Sequence, residues 1–248
     1  MTPRHVFCLL PAMFLSWGCG GSSKKQVAPP RHRGPGEETT VRDESPVDDD
    51  DESGMQVEGL LGRIEMTDVQ PVLEKRWSAI QSCYRNHVGE LSYVGGIVDL
   101  RFRVGRDGAV TRAWVSQGDL GAWPVERCVL EIARRLTFPK PVGGEAEFSF
   151  PIEFPGHGSV VNLDEQRAEA ELGEKLDNLS RCGAGAPSRV RVTVYIAPGG
   201  AVKSVGFSTD AEEPPSDAWA ECAAKVALGW RLSDPRGRVW KAQGWYRP

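Results

Sequence analysis

The sequence predicts an α+β fold made of two tandem modules, each running helix, strand, strand, helix, strand around a three-stranded antiparallel sheet. Three observations predict it. The same order of helix-period and strand-period apolar patterns occurs twice, a glycine-containing turn falls at the same place in both copies, and each copy carries two cysteines at equivalent positions.

In the first copy Leu73, Trp77 and Ile80 recur at helical spacing and lead to Cys83; in the second, Leu172, Leu176 and Leu179 lead to Cys182. Each run predicts an amphipathic helix closed by its cysteine, and Gly183 and Gly185 suit a stop after the second. Val98, Leu100, Phe102 and Val104 then alternate with polar residues, as do Val190, Val192, Val194 and Ile196, which predicts half-buried strands. Asp107-Gly108 and Gly199-Gly200 follow in register, and such dipeptides favour tight hairpins because glycine accepts positive φ at little cost. The returning strands carry Ala113, Val115 and Ser116 in one copy, and Val205, Phe207 and Ser208 in the other.

A second helix presents Cys128, Ile132 and Leu136, answered by Trp219, Cys222, Val226 and Trp230. The last strand of the first copy alternates Phe148, Phe150, Ile152 and Phe154, while the second copy has a shorter run through Val239, Trp240, Trp245 and Tyr246. These elements place the first module at residues 63–155 and the divergent second module at 163–248, joined through Pro155, Gly156, His157 and Gly158. Trp77, Trp219 and Trp230 sit at apolar helix positions and are expected in the core. Trp114, Trp240 and Trp245 lie near strands, where core and outer face are both open to them.

The N-terminus addresses the compartment. Arg4 precedes an apolar run over residues 6–17 that is shorter than the roughly 20 residues of a membrane-spanning helix and ends in small residues, predicting a signal peptide over 1–18. Leu15, Ser16, Trp17 and Gly18 ahead of Cys19 are similar to a bacterial lipobox, Trp17 being its bulky departure. Cys19 is therefore the expected lipid-attachment residue, with the bilayer as one partner. Residues 19–62 have few large apolar side chains and predict a disordered acidic tether. Asp49, Asp51, Ser53 and Gly54 match the start of an EF-hand loop, but its twelfth position falls on Leu60, so the run reads as solvated charge.

With Cys8 lost in the signal and Cys19 modified, four thiols remain. Of their three connectivities the repeat selects Cys83 with Cys128 and Cys182 with Cys222, in the oxidising compartment an exported chain meets. Composition argues against a nucleic-acid partner: Lys and Arg total 30 against 34 Asp and Glu, for a net charge of -4, and the two signs are interspersed. His5, His32, His87 and His157 lie in the signal, the tether, a helix end and the linker, so none has the surroundings a general base needs. Gly118, Gly121, Gly143 and Gly144 make no phosphate loop, and no CxxC or paired-histidine spacing suggests zinc. No enzyme, cofactor, metal or small-molecule substrate is expected.

One combination of motifs carries a resemblance: Ile80-Gln-Ser-Cys83-Tyr84, the alternating strand into Gly105-Arg-Asp-Gly108, Val125-Glu-Arg-Cys128-Val129, and Phe138-Pro-Lys-Pro141 before a closing Phe/Pro strand. In this the first copy resembles the AgmX/PglI C-terminal domain family, a relative of the TonB C-terminal domain. The second copy departs from it at Gly183, at the missing Phe-Pro signature and in its last strand, and joins it through the internal repeat. The resemblance implies a non-catalytic cell-envelope domain of the kind found in gliding-motility and TonB-family proteins, whose partners are other envelope proteins. The expected chain is thus an exported lipoprotein, anchored to the inner or outer membrane and facing the periplasm, with the strand of Phe148, Phe150, Ile152 and Phe154 as the candidate edge for strand addition. Its alternatives are a TonB-like transducer with an uncleaved N-terminal anchor, and a small-ligand receptor or enzyme.

Overall fold

The computed structural model describes residues 62–248; the signal run, Cys19 and the acidic tether, except its last residue Gly62, lie outside the described residues. In chain order the first module holds α1 (Met66–Glu74), α2 (Trp77–Val88), β1 (Gly96–Val104), β2 (Val110–Gly118), α3 (Trp123–Ala133) and β3 (Ala146–Phe154). The second holds β4 (Val160–Asn162), α4 (Glu165–Leu176), a 3-10 turn (Asp177–Cys182), β5 (Val190–Ile196), β6 (Val202–Ser208), α5 (Asp217–Leu228) and β7 (Val239–Tyr246).

The first sheet is antiparallel in the order β2-β1-β3. Its core face is set by the period-two pattern: Val98, Leu100, Phe102 and Val104 are buried, and their register partners Ile152, Phe150, Phe148 and Ala146 share that face. The second sheet has four strands rather than the expected three, in the order β4-β7-β5-β6, and it is mixed because β4 runs parallel to β7. Val190, Val192, Val194 and Ile196 of β5 are fully buried, and on β7 the absent side chain of Gly244 admits Leu172 and Leu176 of α4.

The added strand belongs to the repeat. Gly62 forms a parallel bridge with Ala146 at the start of β3, and Val161 of β4 pairs in parallel with Trp240 at the start of β7. Ala146 and Trp240 are themselves equivalent, since they pair with Val104 and Ile196 at the ends of the matching strands β1 and β5. Each unit therefore opens with a short parallel segment laid against its own last strand. Three residues with one polar member carry too little periodicity to announce such a strand in the sequence.

Several further expectations change. The first helical run is two helices, because the helical phase restarts at Arg76 (φ -105°, ψ -1°), and Cys83 lies inside α2 rather than closing it. Leu73 and Ile80 are buried, yet Trp77, the first residue of α2, is 39% exposed instead of in the core. In the second copy Cys182 closes a 3-10 turn, not an α-helix. The last strand of that copy is also nearly full length, eight residues against nine in β3. Trp114, Trp219 and Trp230 are all buried, whereas Trp240 and Trp245 diverge: Trp240 is buried beneath the Arg167 guanidinium, and Trp245 is half-buried against Arg189 and Arg191 on the opposite face.

Disulfides Cys83–Cys128 and Cys182–Cys222 tie the first helical segment of each module to its second, closing separations of 45 and 40 residues. Chain entropy alone assigns such loops roughly 3 to 4 kcal/mol each, a large share of a small domain's stability. Bonds of this kind persist in an oxidising compartment outside the cytoplasm.

Each hairpin is also docked to the segment that follows the second helix. The Gly108 carbonyl accepts from Phe138 N–H (2.8 Å) and the Gly200 carbonyl from Leu232 N–H (2.9 Å). Both glycines have positive φ, and a Cβ at either would overlap the carbonyl oxygen of its partner. Gly200→Ala is therefore expected to cost about 2 kcal/mol or more, and Gly199→Ala, which has positive φ but open space, only about 1 kcal/mol. Urea unfolding of the two variants measures the difference. Removing the second staple as Cys182→Ala/Cys222→Ala is expected to lower stability by roughly 3 kcal/mol in the same assay.

Candidate interaction surface

A sheet edge exposes backbone donors and acceptors, so the fate of each edge decides where another chain can pair. β2 and β6 face each other across the junction of the modules, where Thr209 N–H donates to the Val115 carbonyl (3.0 Å). β7 carries β4 along Val239, Trp240 and Lys241. β3 pairs with β1 along its whole length, but on its outer side only Gly62, among the described residues, meets it, at Ala146. From Glu147 to Phe154 that side has no strand among the described residues.

The four residues expected to mark this edge lie together on the helix-facing side of β3, and they anchor the strand. Ile152 and Phe154 are buried, Phe148 and Phe150 half-buried. Phe148 stacks on Phe102 (5.1 Å between centroids) and meets Phe138 edge-on, while Phe154 stacks on Tyr84 (5.2 Å). What the edge presents to solvent is backbone together with Ser149, Pro151 and Glu153, all exposed. Glu147 is held by Arg101 (2.8 Å) and Arg103 (2.9 Å) on the outer face. Glu153 has no ion-pair partner among the described residues, so the free edge is acidic.

A second group of residues fixes which edges are free, and periodicity did not reveal it. Tyr195 of β5 donates its hydroxyl to the Gly95 carbonyl (2.6 Å) and accepts from Gly95 N–H (3.1 Å). Lys241 of β7 donates to the same carbonyl (3.1 Å) and pairs with Asp119 (2.6 Å). Ser204 of β6 donates to the Gly121 carbonyl (2.6 Å). Burial pushes the Tyr195 phenol up to about 12, so it remains a proton donor.

Glu126 of α3 is the most constrained member, only 3% exposed. Its carboxyl accepts from Ala122 N–H (3.1 Å) at the start of its own helix and from Phe207 N–H (2.8 Å) on β6 of the other module. Gly206 permits this approach, since a Cβ there would overlap the carboxyl. Burial outweighs the stabilising backbone donors and raises its pKa to about 7. The usable signal was comparison of the copies: Arg103 and Glu147 of β1 and β3 correspond to Tyr195 and Lys241 of β5 and β7, paired in the same way.

Among the described residues no cluster of His, Cys, Asp or Glu could hold a metal ion, and no helix is long and apolar enough to cross a membrane. No family model, curated protein or solved structure matches the chain.

Because the folded pKa of Glu126 lies above its unfolded value, its contribution is fully present below about pH 4.5 and is lost as pH rises through about 7. The shift corresponds to about 3 kcal/mol. Urea midpoints are expected to rise as pH falls from about 8 to about 5, and Glu126→Gln to flatten that trend. Asp217, held down chiefly by its hydrogen bond from Arg134, acts with the opposite sign and at lower pH, outside this window.

Proposed function

We propose that this chain is a non-catalytic protein-interaction lipoprotein of the bacterial cell envelope, which docks an extended segment of another envelope protein along the outer edge of β3. The observation that carries this reading is the run from Glu147 to Phe154, paired with β1 on one side and, among the described residues, without a strand on the other. An added strand would gain main-chain hydrogen bonds along that run, and contacts with alternate side chains would select its sequence. In the second module β4 covers only Val239, Trp240 and Lys241 on the corresponding side of β7, the counterpart of the Gly62 contact on β3, so the rest of β7 serves as the internal control for the longer β3 edge.

The setting of this reading rests on other features. Two disulfides fit an oxidising compartment outside the cytoplasm. The sequence around Cys19 suits a lipid anchor, and the resemblance of the first copy to AgmX/PglI C-terminal domains supports a role in a gliding-motility, transport or envelope assembly.

The test is site-specific photo-crosslinking in cells. A photoreactive residue in place of Ser149 or Glu153 is expected to trap one discrete envelope protein, and the same residue at the exposed Glu174 of α4 to trap none. A peptide copied from the trapped segment should bind the purified chain and protect the amides of β3, not those of β7, from hydrogen exchange. Equal adducts at all three positions, or protection confined to β7, would remove the β3 edge from the account.

A further inference from the structure

We propose that the cleft between the two modules binds a long-chain carboxylic acid, with its aliphatic tail inside the cleft and its carboxylate at Lys203. The cleft has a volume of about 520 Å³, within the range of small-ligand pockets. One wall comes from α2, the loop after it and α3; the other comes from β6 and α5. It exists only because both modules are present and docked.

Its interior is apolar. Val88, Leu91, Val94, Trp123, Ala224 and Leu228 line it, and Leu228 at the rim stays 44% exposed. Covering such a wall with an aliphatic chain removes apolar surface from water at roughly 25 cal/mol per Å². Ala122 N–H at the start of α3 and Phe207 N–H on the outer side of β6 are both taken by Glu126, so an extended peptide would find few donors there and would bury unpaired N–H and C=O groups of its own. An acyl chain has none to bury.

The charge at the rim selects the head group. Glu131 is bound by Arg127 (3.1 Å), and Glu221 accepts from the Trp123 indole N–H (3.1 Å) and pairs with Arg127 (3.3 Å) and Lys225 (3.7 Å). Both acids are thereby neutralised from within the fold. Lys203 is exposed, lines the same cleft and has no carboxylate partner among the described residues. A ligand with an apolar body and one anionic end matches that pattern, and a cationic or neutral one of the same length does not.

Isothermal titration of the full chain, with both disulfides formed, tests the assignment. Palmitate is expected to bind saturably at about one per chain, and at least tenfold more tightly than hexadecanol or hexadecyltrimethylammonium. Lys203→Glu should weaken palmitate at least tenfold and leave hexadecanol unchanged, while Ala224→Trp should fill the cleft and abolish binding of both. If Ala224→Trp does not fold, Leu228→Glu at the exposed rim serves instead, with the same loss expected for palmitate. Palmitate binding that survives both the charge reversal and the filled cleft overturns the proposal, as does the absence of saturable binding. An acidic amphipathic helical peptide that binds where palmitate does not would assign the cleft to a protein partner and overturn it equally.

Discussion

The carboxyl of Glu126 is the contact on which the arrangement of the two modules rests. Sheet edges carry backbone groups that must be paired or left in water, and burying the edge of β6 beside the first module would strand the Phe207 amide. Glu126 meets that amide with one oxygen and the start of its own helix with the other, so one buried side chain completes an element of each module. Its burial is expensive enough to raise its pKa, and the cost is tolerable because two backbone donors and the neighbouring packing of Trp123 on Phe207 accompany it. With that contact in place the β2 and β6 edges are turned inward, and β3 is left facing outward.

The same junction explains why the copies diverge. In the first module the sheet face away from the helices carries Arg101 and Arg103 bound to Glu147, with Trp114 on the neighbouring strand below Arg101. At the equivalent places the second module has Thr193, Tyr195, Lys241 and Gly206. Those residues are smaller or aimed at backbone because the Gly95 and Gly121 loops and Glu126 of the first module press on that face. Two segments with the same order of elements thus share a core pattern, a hairpin and a staple while one sheet face of the second serves as an interface.

This division also marks what could be read from the sequence. The alternation in β1 and β5, the hairpin glycines and the cysteine placement are local or repeated signals, and the buried strands and both disulfides follow from them. β4 escaped because a three-residue parallel strand is defined by a distant partner rather than by its own pattern. Trp77 was misplaced because apolar spacing continues across Arg76 although the helix does not. Glu126 gave no signal by itself, since an isolated carboxylate on a helix ordinarily faces water; only its position opposite Gly206 makes it buried, and that is a tertiary fact.

A free edge is a hazard as well as an opportunity, and the composition of β3 bears on which it is. Unprotected edges pair indiscriminately, and proteins blunt them with proline and charge. β3 carries Pro151, which withholds one donor, and the exposed Glu153, while Phe148 and Phe154 hold the strand to the core through aromatic stacks. The partial protection leaves backbone groups accessible but disfavours a second copy of the same acidic strand, because like charges would be brought together across the new pairing. An incoming strand that is neutral or basic opposite Glu153 escapes that penalty. The edge is therefore better suited to a different protein than to self-association, which is the property a docking strand requires.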